Sequence, residues 1–582
     1  MEQLEESVRK NNAILDEMNR KLAEEREQNR KKQLSKHIPD TIQGNGQDLK
    51  DVMKHLEELV VYENYERDDK SQDNFVKASL KQMDENAEVA ILSHSVGAYV
   101  STLEPSHLKN LATKVVNDTT HWISRLFRFT DGTAYYHEEE KEGLIRVCRL
   151  ALHRKFPKYG TDGYEALYSR PPVIYINANA KPNLGSHITS QLGLPSSCVR
   201  TVPNEHIKVF SHKMDTSALE KMITDDKASG KTPAIVVACA GTPLVGHTDN
   251  IQKIQDLCKT NEMWLHLEGN NLAALTMFSV PTNMVPAKSG DSLSLNLGGW
   301  LGLPAVPHVT LYKTSDVAQA RAAGLATFNA RYKLNCLPLW VCLQNLGHEG
   351  VVARVQYSME LAKIVHDRIE KMPSLHNVSK TSKEHRDSSE PETATGLGSL
   401  LSKAINALVL FETQNPTVVF RYHESHSNTD ESAPDNRDPY FDALNIWLSE
   451  TLKRDIPRVH VAAVEIEDIG VCIRYAPMES SQMFDTTKED LEKLLGSLAS
   501  QLKILDATVK QRSDFHEIVT SQDNLRLVTL PNWAGLGAVQ YVSNEWLDRM
   551  DNLPDLGKKE INLLNNNLVH QLKSADTAFS LG

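Results

Sequence analysis

The sequence predicts an α/β protein with a large domain on a mainly parallel sheet, a smaller α+β domain behind it and a helical extension in front. Three observations carry this. Strand-like and helix-like stretches alternate from Pro171 to Lys313, the pattern changes after Arg331, and the first segment repeats apolar residues at helical spacing. Strand runs separated by helical segments argue for a parallel sheet covered on both faces.

The elements follow in order. Leu4, Val8, Asn11, Leu15, Met18 and Leu22 alternate spacings of four and three, an a/d seam over about three heptads. Two readings stand: a helix docking on its own body, or a short coiled coil with a protein partner. So short a seam is marginal alone, which favours the first. Residues 66–88 are charged and read as a linker, closing an extension over 1–88. Order resumes at "AEVAILSHSVGAYVSTL", and the large domain spans 89–330.

Within it, "PPVIYINAN" reads as a strand, "GSHITSQLGL" as a helix, and "TPAIVVACAG" as an apolar strand. "NIQKIQDLCKTN" is a helix with Ile251, Ile254 and Cys258 on one face; "MWLHLEGNN", "DSLSLNLGG" and "HVTLYK" are strands. Ligands of such sheets bind at the C-terminal ends of strands, here Asn179, Gly241, Glu268 and Gly298. A long helix from Leu337 to Lys371 opens the small domain over 331–515, which also holds the strands "PTVVFRY", "VHVAAVEIED" and "GVCIRYAP". "KTSKEHRDSSEPETATG" and "HESHSNTDESAPDNRD" lack the apolar content to pack and read as loose insertions. A C-terminal extension over 516–582 carries a strand-like piece and two amphipathic helices.

Composition sets bounds. A chain of 582 residues, 40% of them hydrophobic, suggests two or three domains with a sizeable core. The net charge is −12 and no basic stripe is present, against nucleic-acid binding. No apolar run reaches membrane length; the longest, Ala234 to Val245, is broken by Gly241 and Pro243. Charge from Glu2 onward argues against a signal peptide. Seven scattered cysteines without a CxxC pair fit reduced thiols in a cytoplasmic protein, with no metal site, and leave the Asn117 and Asn377 sequons as chance matches.

At "GTPLVGHTDNIQKIQDLCKTNEMWLHLEGNN" the chain resembles the group II pyridoxal-dependent amino-acid decarboxylases. The residues that match are Gly241-Thr242, Gly246, Asp249-Asn250-Ile251, Trp264-Leu265-His266, Asp291-Ser292 and the stretch from Asn296 to Trp300. The resemblance covers roughly residues 90–500 and implies an aminotransferase-like fold, pyridoxal phosphate as cofactor, carboxy-lyase activity on an amino acid, and a homodimer with the site between subunits.

Such chemistry needs a lysine for the Schiff base, a carboxylate on the pyridine nitrogen, a stacking ring, a phosphate grip and a closing loop. The family's lysine falls on Gly299 and its neighbouring histidine on Gly298, in "LNLGGWLGLPAV". A glycine forms no imine; the pair reads locally as a tight turn needing positive φ. The nitrogen partner falls on Glu268, which keeps the charge on a longer arm, or is an acid at a strand end paired with a base or open to water. The stacking position falls on Lys181, in "INANAK". It can attract a phosphate or attack an aldehyde from the other face; a solvated loop lysine is the plainer reading. Gly132, Thr133 and Ala134 read as a turn opening a helix, suited to phosphate or to simple capping. Thr242 and Asn296 complete the cofactor-binding set. The loop "SDVAQARAAGLATFNAR" holds no tyrosine, and Tyr332 lies just beyond it on the helix side.

Two functions therefore stand. One is a decarboxylase-like pseudoenzyme that binds pyridoxal phosphate, or another small anion or amino acid, without a covalent bond. The other is an active carboxy-lyase.

Overall fold

The computed structural model describes residues 46, 48–62, 84–129, 132–205, 211–277, 290–313, 316–327, 329–380, 415–423, 439–467, 469–528, 530, 533–547 and 554–575. The chain divides into two compact units, residues 1–82 and 83–582. In the first, the described element is helix α1, Leu49–Tyr62; the Leu4–Leu22 seam lies outside the described residues, as do most of the two polar insertions.

The second unit starts earlier than the linker reading allowed. Asp84 accepts from the Ala87 amide at 2.8 Å and caps helix α2, Glu85–Val100. Helix α3, Pro105–Leu126, follows. Seven strands then build the large sheet: β1 Thr133–His137, β2 Pro172–Asn177, β3 Val199–Val202, β4 Thr232–Cys239, β5 Trp264–Glu268, β6 Ser292–Leu295 and β7 His308–Tyr312. Their spatial order is β1-β7-β6-β5-β4-β2-β3. Pairing is parallel from β3 through β6, and β7 is antiparallel to both β6 and β1.

Helices α4 (Glu142–Lys155), α5 (Leu184–Leu192), α6 (Thr216–Ala228) and α7 (Ile251–Thr260) make the crossovers. Alternate residues of each strand feed two cores. Val236, Leu265 and Leu293 pack with α3, α6 and α7 on one face, while Ile174, Ile235 and Trp264 pack with α4 and α5 on the other. Each large aliphatic side chain so buried stabilises the fold by roughly 1.5–3 kcal/mol.

After β6 come the short helix α8, Leu297–Leu301, then α9, Val317–Ala322, and α10, Ala330–Lys333. The predicted long helix is α11, Leu337–Ile369, but it is not continuous: Gly347 breaks it with φ of 63° and ψ of −179°. The small sheet is antiparallel, in the order β10-β11-β9-β8, from β8 Leu375–Asn377, β9 Val418–Tyr422, β10 Val461–Ile466 and β11 Gly470–Tyr475. Helix α12, Pro439–Asp455, and the start of α13, Lys488–Thr520, cover it. The last segment holds a hairpin, β12 Leu525–Val528 and β13 Ala538–Tyr541, before α14, Asp555–Ala575. The single strand-like piece of the sequence reading is thus two strands.

Candidate functional site

Register fixes which residues meet at the sheet's C-terminal edge. His137 pairs with His308 and Leu295 with Val309. Hence β1, β5 and β6 end, and β7 begins, on the same edge. Along β5, strand alternation sends Trp264, His266 and Glu268 to the α4 face and Leu265 and Leu267 to the other.

On that α4 face the sheet carries a buried polar ladder. Ser292 Oγ takes Trp264 Nε1 at 2.8 Å and lies 2.7 Å from His266 Nδ1. Ser294 Oγ lies 3.1 Å from His266 Nε2 and 3.5 Å from Thr310 Oγ1, which in turn sits 2.9 Å from His137 Nε2. His137 Nδ1 donates to the Glu139 carbonyl at 2.8 Å, tying the ladder to the turn before α4. Burial pushes His137 down to about 4 and His266 down to about 3, so both imidazoles are neutral at pH 7. Gly143 lets α4 lie directly on this ladder: a Cβ there would run into the Thr310 hydroxyl.

Above the ladder sits Lys181, on the turn after β2. Its ammonium donates to Glu140 Oε1 at 2.7 Å and lies 3.8 Å from Glu268 Oε2. The side chain is 25% exposed and that of Glu268 8%. Lys181 is therefore no solvated loop lysine. Burial opposes its charged form, but Glu268 and Glu140 outweigh that and hold its pKa above lysine's usual value. Glu140 is likewise raised by burial but lowered further by Lys181. Glu268 is an acid paired with a base, yet its Oε1 is buried with no hydrogen-bond partner. Gly269, with φ of 127°, lets the β5 end turn against the Ala240 carbonyl; a Cβ there would strike backbone.

At the same edge of the sheet, after β6, lies the start of α8. Asn296 caps it, Oδ1 accepting from the Gly299 amide at 3.1 Å. Gly298 and Gly299 are helical; the positive φ expected of them is found instead at Gly302, 66°. What glycine provides here is room. A Cβ on Gly299 would meet the Asn296 amide at 3.0 Å, and one on Gly298 the Leu303 carbonyl at 3.1 Å. Both line a cavity of about 840 Å³ bounded also by Glu138, His308, Arg331 and Glu479. Trp300 Nε1 donates to Asn270 Oδ1 at 2.9 Å, Asn270 Nδ2 to Glu479 Oε1 at 2.6 Å, and Arg474 pairs with Glu479 at 2.5 Å. This chain locks the small domain onto the α8 wall.

The remaining residues singled out in the sequence lie elsewhere. Gly132 to Ala134 do not open a helix: Thr133 begins β1, where it pairs with Tyr312 in the sheet. The apolar alternation of "TAYYH" competes with the Gly-Thr turn signal and wins, because Tyr135 and Tyr136 each have a side of the sheet to pack against. The helix starts instead at Glu142, behind the acidic turn Glu138-Glu139-Glu140-Lys141. Thr242 is buried in its own loop, its hydroxyl accepting from the His247 amide at 3.1 Å. Asp249, wholly buried, accepts from the amides of Met214 and Cys239, both at 2.7 Å, and from Asn177 at 2.8 Å. It binds the ends of β2 and β4 together, and burial pushes it up to about 6 despite those bonds. Tyr332 lies on α10 with its side chain exposed.

Sequence reasoning singled out Lys181, Glu268 and Gly299; the first two meet in an ion pair, and Gly299 lines the cavity at the start of α8. It missed Glu140 and the ladder. The one available signal was parity: His266 sits two residues before Glu268, on the same face.

Comparison with known proteins agrees with this frame. The model of the pyridoxal-dependent decarboxylase conserved domain matches residues 32–271, ending ahead of α8. The PDXDC1-like central domain and second central domain match 423–509 and 515–582. Pyridoxal-dependent decarboxylase domain-containing protein 1 of Xenopus laevis is 37% identical over 93% of this chain and 65% of its own length. That of Danio rerio is 36% identical over 96% of this chain and 69% of its own. The chain thus spans about two thirds of the length of these relatives. Among solved structures, Oryza sativa TDC with PLP aligns with a TM-score of 0.58 at 14% identity, over 81% of this chain and 91% of that one, a likeness of fold.

Proposed function

We propose, for a chain that belongs to the family of pyridoxal-dependent decarboxylase domain-containing proteins, that it keeps the decarboxylase fold without Schiff-base catalysis and uses the crevice as a small-ligand pocket. One observation carries this reading. Lys181, the lysine that reaches Glu268, is a charged member of an ion-pair cluster, while the start of α8 offers Gly299. An amine must be unprotonated to attack an aldehyde, and both glutamates hold this one protonated.

Pyridoxal phosphate is the cofactor the family implies, and the residues can be tested against it. Glu268 Oε1, buried and without a partner, fits an acceptor for a protonated ring nitrogen. Gly299 does not fit a covalent link. Bound there, the cofactor would supply an electron sink. Glu268 would orient the ring, and Asn296 would keep α8 closed behind it. Within α8 itself, Leu297–Leu301, no titratable side chain would carry a proton to or from a substrate carbon.

The test is an absorbance spectrum with added pyridoxal phosphate, followed by borohydride and peptide mapping. The expected result is no reduced adduct on any peptide. Stoichiometric labelling of a peptide containing Lys181 would replace this reading with a relocated-lysine enzyme.

We further propose a homodimer through the large domain. Leu92, Val96, Tyr99 and Leu103 form an exposed apolar stripe along α2 and the turn after it, with Tyr99 76% exposed. Light scattering at micromolar concentration should give twice the chain mass, and Tyr99→Asp should lower it. A monomer in the parent protein would rule the dimer out. Among the described residues no helix is long and apolar enough to cross a membrane.

A further inference from the structure

The cluster around Lys181 does more than lack an enzyme's lysine. Its ammonium comes from the β2 turn, Glu140 from the turn before α4 and Glu268 from the end of β5. Three separate elements thus converge on one point at the strand-end edge of the sheet, where sheets of this type take their ligands. The parts are held in place. The Lys181 turn is pinned by Asn179, whose amide bonds Asn177 Oδ1 at 2.7 Å and whose side chain bonds Asn204 at 2.7 Å. The Glu140 turn is pinned by His137 through the Glu139 carbonyl. Glu268 rides on β5, two residues beyond His266 and its ladder.

We infer that Lys181 is an internal occupant of the crevice: held between Glu140 and Glu268, its ammonium closes the site, and a small ligand enters only when that ammonium leaves. The inference rests on the small-pocket reading above and concerns how that pocket is regulated. Two carboxylates against one ammonium leave one negative charge, and one Glu268 oxygen stays without a partner. The lysine therefore closes the site without satisfying it fully. Glu268 Oε1 is the acceptor that a ligand would gain, and the 3.8 Å separation on Oε2 is the contact that it would break.

The charge-balanced variant Glu140→Gln/Lys181→Met removes one acid and one base, so the crevice keeps its net charge and loses the bridge. The Glu140 side chain is half exposed, and an exposed pair contributes little to folding, so the variant should fold, which thermal melting checks. The probe is pyridoxine 5′-phosphate, which has no aldehyde and so reads non-covalent binding alone. Isothermal titration should give a dissociation constant at least about tenfold lower for the double variant than for the parent, with Glu140→Gln alone in between. Equal affinity in the parent and the double variant would overturn the inference and leave the pocket reading standing. No binding by either would overturn both.

Discussion

Two strand ends of the large sheet, after β6 and after β2, present opposite chemistry. At the turn after β6, Gly299 opens onto the cavity; under the proposed reading the family's lysine position falls there. At the turn after β2, Lys181 is held by Glu140 at 2.7 Å and lies 3.8 Å from Glu268; on the same reading the family's stacking ring falls there. A cationic nitrogen is thus present, but on the other side and in another state. On the α8 wall, among the described residues, no carboxylate is paired with a lysine. On the β2 wall two carboxylates fix the ammonium's charge. An amine's chemistry is set by its neighbours, so the presence of a lysine in the crevice says little about catalysis until its partners are known.

The sharpest test of that contrast is to return the amine to the α8 wall. Gly299→Lys should release carbon dioxide from aromatic and acidic amino acids at least ~10³-fold more slowly than ordinary decarboxylases, because catalytic groups acting as a unit are strongly non-additive. Turnover near theirs would mean that the glycine was the only loss. The variant should fold: Gly299 is helical, and only the Asn296 side chain must give way. A second test breaks the other wall. Lys181→Met alone leaves Glu268 beside Glu140 without this ammonium and, with the Glu140 side chain half exposed, should cost on the order of 1 kcal/mol in urea unfolding, whereas the charge-balanced double variant should lose less. Equal losses would mean that the bridge is not a coupled unit.

The floor beneath the walls can be tested next. Gly143→Ala drives a methyl into the Thr310 hydroxyl and should destabilise by roughly 2 kcal/mol through overpacking, read as a lower urea midpoint. Stability unchanged within error would show that α4 can slide off the ladder.

The smallest effect is one of pH. His137 and His266 are depressed in the fold, to about 4 and about 3, against about 6.5 when unfolded. Between those values the unfolded chain binds more protons, so stability falls as pH drops from about 6.5 toward 4. Asp249, raised to about 6, acts in the opposite sense, favouring the fold at low pH and losing that contribution as pH rises through 6. His266→Asn should therefore show a shallower acid loss than the parent, and an unchanged slope would show that the ladder histidine is not the group that titrates.

Apart from β1, β3 and α6, which were not read from it, the sequence alone determined strands β2, β4, β5, β6 and β7 of the large sheet and the crossover helices α5 and α7. Their signals are local: β-branched runs such as "AIVVA" and the 3.6-residue spacing of Ile251, Ile254 and Cys258 do not depend on distant residues. It also determined that Gly299, Glu268 and Lys181 lie at strand ends, because motif order and topology place them there. The tertiary structure decided the rest. "GTAYY" carries both a turn and a strand signal, and only an unfilled place beside β7 settles it as β1. Gly298 and Gly299 could be a positive-φ turn or a capped helix, and the Asn296 cap with the packing of Trp300 makes it a helix. Most of all, nothing local in "HEEEKEG" or "NANAKPN" says that Glu140 and Lys181 meet. An ion pair 41 residues apart exists only because β1 and β2 end on one edge of one sheet, and a side chain's charge state follows from what that edge brings to it.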